Sequence, residues 1–228
     1  MALTSFLKAL FYETTWSERP RSVSAPLQGT RFSRGKHLKR VWLHGDLARP
    51  PAERVYLGLG EIDISLIGDR RDWSRVLFTG RPREVQAEAC RGSLGACLGL
   101  PAYDELLRSD CRGRLFRLDL AITHMTPGIT ALRVFEWLTL FGLGHACLQV
   151  EGILSEPRHG QVLMKFAARR RHSGLTARED WWFTPEESGM SADLPKSMTG
   201  HLIRRISYDI LMELDARLNT GGAARGDK

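Results

Sequence analysis

Apolar residues return every four positions through the last quarter of the chain: Met198, Leu202, Ile206, Ile210, Leu214 and Leu218, with Ile203 and Leu211 widening the stripe. That spacing predicts an amphipathic helix over residues 194–218, closed by Gly221-Gly222, with one face that must pack on something. Period two appears elsewhere. Residues 55–67 put Val55, Leu57 and Leu59 on one side, then Ile62, Ile64 and Leu66 after Gly60 shifts the register. The pattern predicts a strand with a bend or bulge at the Gly58/Gly60 pair. Residues 115–122, 146–154 and 161–169 alternate as three further strands, the last two joined through Glu156-Pro157-Arg158-His159-Gly160, a plausible hairpin turn. Pro82 opens a helix that runs to about Leu98 and stops at Gly99-Leu100-Pro101, with a short helix following at 103–107.

These elements predict the α+β class: an antiparallel sheet of about four strands, a helix near 82–98, and a long C-terminal amphipathic helix packed on one face. The organisation read from the chain is a basic N-terminal segment or linker over 1–54, a single α+β domain over 55–219 and a disordered tail over 220–228. With 228 residues, 43% hydrophobic and 26% charged, the composition excludes a disordered chain, a collagen-like fibre and a multispan membrane protein. The formal charge of +7 is uneven. Residues 1–60 hold ten Lys/Arg against four Asp/Glu, whereas the remainder is nearly balanced.

At the start, Leu3, Phe6, Leu7, Leu10 and Phe11 make an apolar stripe that Lys8 interrupts. No basic head or small-residue cleavage site accompanies it, so the segment reads as a helix capping the core, with a membrane-surface helix as the alternative. The most apolar window, 129–145, is too short for a bilayer crossing and contains Arg133 and Glu136. A buried or partner-covered segment is expected there.

Chemistry-bearing residues are scattered. Cys90, Cys97, Cys111 and Cys147 form no CxxC pair and are read as small buried hydrophobes, with their disulfide state open. No phosphate-cradling loop, nucleophile elbow or zinc helix is present in the sequence. His145 and Cys147 would share a strand face as a packing pair, and Glu61, Asp63, Asp69 and Asp72 are interleaved with Arg70, Arg71 and Arg75 as a self-neutralising loop. The expectation is a non-enzyme without metal or cofactor. Two basic runs remain: Arg31, Arg34, Lys36, Lys39 and Arg40, and Arg169, Arg170 and Arg171. They could contact phosphates, with Trp181 and Trp182 stacking bases, although Glu179 and Asp180 stand beside the tryptophans.

Residues 118–133 run Leu-Asp-Leu-Ala-Ile-Thr-His-Met-Thr-Pro-Gly-Ile-Thr-Ala-Leu-Arg, followed by Phe-Gly-Leu-Gly-His-Ala at 141–146, Val-Glu-Gly-Ile-Leu at 150–154 and Gly-Gln-Val-Leu-Met-Lys-Phe at 160–166. In this order the motifs resemble an uncharacterised family of bacterial, mainly proteobacterial, envelope proteins, often lipoproteins. Those have a Pro-Gly-x-x-Ala-Leu-Arg turn, a glycine-rich loop, two more strands and a C-terminal helix. The likeness covers roughly residues 113–218. It implies a non-catalytic α+β domain at the cell envelope. Members begin with a lipoprotein signal and a lipid-accepting cysteine, neither of which is read here, so the expectation is an unanchored member or a start lying upstream. Pro127-Gly128 breaks a strand and Gly142 and Gly144 let the backbone bend, which makes Trp137, Leu138, Phe141, Gly142 and Gly144 a candidate contact patch for a protein or membrane partner. The alternative is a cytoplasmic nucleic-acid- or anion-binding protein that uses 31–40 and 169–172. Oligomeric state is not readable from the sequence.

Overall fold

The computed structural model describes residues 24–47, 54–65, 83–109, 113–126, 146–172 and 198–218. Five strands form one sheet: β1 (Arg40–Leu43), β2 (Val55–Asp63), β3 (Arg114–Thr126), β4 (Ala146–Glu156) and β5 (Gln161–His172), in the order β1-β5-β4-β3-β2. Among the described residues three α-helices accompany them: α1 (Arg83–Leu98), α2 (Tyr103–Arg108) and α3 (Met198–Leu218). The α+β class is as the pattern predicts.

Two details correct it. The sheet is mixed, not antiparallel, because β2 and β3 run parallel. The chain between them passes through α1 and α2, and a crossover of that kind is what brings consecutive strands into parallel alignment. The alternation of side chains contains no information on direction. Secondly, there is a fifth strand, β1, antiparallel to β5, drawn from the 1–54 segment expected to lie outside the domain. Residues 24–47 belong to the domain. At four residues, β1 is too short for its period to show.

The β4–β5 hairpin turns through a 3₁₀ turn at Pro157–His159, and Gly160 takes the left-handed φ of +62° that returns the chain. The bulge predicted in β2 appears as a register shift against β3 between Leu59 and Ile62. There the Asp119 carboxylate accepts the Glu61 N–H at 2.9 Å, in space that a side chain at Gly60 would fill.

α3 lies on β4 and β5 and packs along α1, so both long helices share one face of the sheet. Most of its stripe is buried: Leu202, Ile203, Ile206, Ile210, Leu214 and Leu218 pack with Leu118, Leu120, Ile122, Val150, Leu154 and Phe166 of the sheet, and Leu211 is partly buried beside them. Burying one such side chain contributes about 1.5–3 kcal/mol, which is why this helix is the main clamp on the fold. Gly152 faces Phe166 across the ladder, and a Cβ there would sit 2.2 Å from the ring and 2.8 Å from Leu120. At the hairpin end, Glu156 is buried and holds the Arg114 guanidinium, which donates to both carboxylate oxygens. Those hydrogen bonds hold its carboxyl below the ordinary value of 4.5 against the opposing effect of burial.

Gly152→Ala should lower unfolding free energy by about 1–3 kcal/mol, because the Phe166 ring has to move; urea unfolding measures it, and unchanged stability would refute this packing. Arg114→Gln tests the ion pair. A depressed folded-state pKa stabilises above the unfolded value and loses that contribution as pH falls through the folded one. The variant should therefore be less stable than the native chain by roughly 1.5–3 kcal/mol at neutral pH, with the gap closing as pH falls below 4.5. A gap that persists in acid would assign the effect to packing.

Candidate binding surface at one end of the sheet

At one end of the sheet the described parts of three strands lie level with one another. Thr126 of β3 is level with Cys147 of β4 and Arg171 of β5, and Ala146 is opposite His172. β1 enters from this same end, since Arg40 stands opposite Ala167 and the strand runs back towards Met164. The turn before β1 therefore projects towards the end of β5, the strand that carries the second basic run.

Ser33 and Val41 exchange backbone hydrogen bonds at 2.8 and 2.9 Å, and Gly35 N–H donates to the Leu38 carbonyl at 2.9 Å, which folds residues 33–41 into a tight loop. Leu38 is buried in the core beneath it. Glu213 of α3, completely buried, reaches up into the loop: one carboxylate oxygen accepts N–H from His37 at 2.6 Å and from Leu38 at 3.2 Å, the other accepts the Arg217 guanidinium at 3.0 Å. Gly35 lies so close to this carboxylate that a Cβ would come within 2.8 Å of both its oxygens. Arg31, Arg34, Lys36 and Lys39 all point outward and are exposed.

The other candidate cations are placed differently. Arg40 is half-buried with its guanidinium 4.6 Å from the centre of the Phe32 ring. Arg170 faces α3 and donates to Asp209 at 2.7 Å, a pair in which Asp209 is buried. Arg169 points to the opposite face, with its Nε 3.2 Å from Cys147 Sγ. Successive strand residues alternate between faces, so 169–172 is not one patch. The side chain of Arg171 lies outside the described residues, as do Trp137, Leu138, Phe141, Gly142, Gly144, His145, Cys111, Trp181 and Trp182. Of the acidic set only Glu61 and Asp63 are described, and Asp63 accepts the Ser65 N–H at 2.7 Å.

On the sheet face away from the helices, the described chain begins by crossing the strands. Ser24 donates its N–H at 3.0 Å and its hydroxyl at 2.5 Å to Glu151, which also accepts from Gln149 at 2.9 Å. Lys165 donates to the Pro26 carbonyl at 2.7 Å. Glu151, Gln149 and Thr123 are buried there. Sequence reasoning missed all the buried carboxylates: Glu151, Glu156, Asp209 and Glu213. A signal existed for two of them, since Asp209 and Glu213 are four apart and flank the apolar stripe of α3.

Cys90, Cys97 and Cys147 are free thiols; burial pushes Cys90 up to about 12 and raises Cys97 also, the latter opposed by Arg204. Among the described residues no group of three or more His, Cys, Asp or Glu could hold a metal ion, and no helix is long and apolar enough to cross a membrane. A depression between β2 and the end of α1, walled by Leu59, Ala96, Leu100 and Pro101, has no titratable side chain in its lining.

No protein-family model matches the chain, and no curated protein does. Among solved structures, a PelC dodecamer from Paraburkholderia phytofirmans is 11% identical over 76% of this chain and 97% of its own, with a TM-score of 0.39. The hypothetical protein CT253 from Chlamydia trachomatis is 11% identical over 72% of this chain and 98% of its own, with a TM-score of 0.37.

Glu213→Ala should cost about 2–4 kcal/mol in urea unfolding, since it leaves two backbone N–H groups of a packed loop without their acceptor. Arg34→Ala, which removes only an exposed side chain, should stay within about 0.5 kcal/mol. Equal effects from the two would refute the clamp.

Proposed function

We propose that this chain is a non-catalytic, envelope-associated protein that binds a protein or membrane partner at the end of the sheet that holds Thr126, Ala146 and His172. The observation that carries the reading is the basic loop pinned there: four exposed cations within nine residues, on a backbone tied to the core by Glu213. A rigid projection of like charge costs little ordering entropy when it meets an oppositely charged partner. The buried carboxylates Glu151, Glu156, Asp209 and Glu213 are each engaged in holding the fold. The envelope assignment rests on the sequence resemblance over 113–218. The Trp137–Phe141 region, which lies between β3 and β4 in the sequence, stays a candidate part of the contact.

A second reading, a nucleic-acid- or anion-binding protein in the cytoplasm, draws on the same loop. It is weakened by Arg170, whose charge is matched by Asp209.

Fractionation of cells expressing the protein from its native locus with a C-terminal tag should recover it with the membrane fraction. Recovery in the soluble cytoplasmic fraction would overturn the envelope reading. Trp137→Ser with Phe141→Ser should weaken that recovery; full retention would remove the 129–145 region from the contact.

A further inference from the structure

We infer that the 31–39 loop is an electrostatic docking element for a bilayer containing anionic phospholipid. This rests on the envelope reading above and names its partner. Three observations select a charged lipid surface over a discrete phosphate or a nucleic acid strand. The backbone N–H groups that would make a phosphate cradle, those of His37 and Leu38, are already donated to Glu213. The loop therefore offers cationic side chains and no anion pocket. The described aromatic rings beside the loop each already hold one of the protein's own cations: Arg40 lies 4.6 Å from the Phe32 centroid, and Lys165 Nζ 5.6 Å from that of Trp42. Among the described residues this reduces the ring surface that bases could stack on, and stacking is a main source of single-strand affinity. Finally, the cations belong to one short loop at one end of the sheet, a compact group suited to the diffuse charge of a lipid surface, whose attraction reaches only about a Debye length.

Each Lys or Arg near an anionic bilayer contributes roughly fivefold to partitioning, so the four together amount to two orders of magnitude or more. Arg170 is excluded from the element by its bond to Asp209 of α3.

The test is sedimentation of the purified full chain with vesicles of phosphatidylcholine alone and of phosphatidylcholine with phosphatidylglycerol, at low and high salt. Binding should need phosphatidylglycerol and fall with salt. Arg31→Gln/Arg34→Gln/Lys36→Gln/Lys39→Gln should reduce it by about a hundredfold, with circular dichroism unchanged. A charge-matched control, Arg91→Gln/Arg108→Gln/Arg158→Gln/Arg205→Gln, removes four exposed cations elsewhere and should bind nearly as the native chain does. Equal loss in both variants would overturn the inference, since net charge alone would then be at work. Release from vesicles by duplex DNA at equal phosphate concentration would overturn it in favour of nucleic acid. Failure of the native chain to bind either vesicle would also overturn it. The envelope reading is judged separately: membrane recovery from cells without vesicle binding would point to a protein partner.

Discussion

The fold depends on how α3 sits against the sheet. Its apolar stripe lies on β4 and β5 and packs along α1, in one core with Leu118, Leu120 and Ile122 of β3. Beside the stripe, Asp209 and Glu213 are four residues apart, so two carboxylates occupy neighbouring turns inside the protein. Like charges at that spacing repel, and a buried carboxylate is costly unless it is bonded. Both are satisfied by partners outside the helix: Arg170 of β5 for Asp209, and the backbone of His37 and Leu38 for Glu213, with Arg217 adding a cation within α3. One helix therefore packs the sheet, fixes the end of β5 and sets the loop that leads into β1.

The other face is built on a different principle. From Cys147 to Gly152 every residue of β4 is buried, but Leu148 and Val150 face the helices with Leu154, whereas Gln149 and Glu151 face away and remain buried. They are covered from the N-terminal side by residues 24–27 through Ser24 and Leu27. A polar row can be enclosed only if its hydrogen bonds are made internally, and Glu151 receives them from Ser24 and Gln149. Far segments of the chain, 24–38 included, are thus held by buried carboxylates on β4 and α3.

Much of this was legible in the chain. α1, α3, the β4–β5 hairpin and the bulge in β2 show because each has a period or a turn signal long enough to register. Strand direction was not legible, because alternation is the same in parallel and antiparallel ladders, and β1 was not, because four residues contain too little pattern. Burial of charge was the larger omission. Glu151 in an alternating strand and Glu213 beside a helical stripe look like solvent-facing residues until distant segments arrive to cover them. Arg169-Arg170-Arg171 looked like a basic patch, yet the period of a strand separates its members between faces, and Arg170 ends on the helix side with Asp209. The loop cations were readable as a run; what holds them was not, since the clamp comes from 176 residues away.

That distance determines what the loop can transmit. A basic tail on a flexible linker attracts an anionic partner but leaves the domain free to rotate, and its ordering on contact opposes binding. Here the cations stand on a backbone bonded to a wholly buried side chain, with Leu38 seated in the core just below. Any force on the loop passes into α3 and from there to β4 and β5 without an intervening hinge. Charge concentrated at one end of a nearly neutral body also orients the molecule before contact, so attraction and alignment come from the same residues. A partner bound there would meet the sheet end-on.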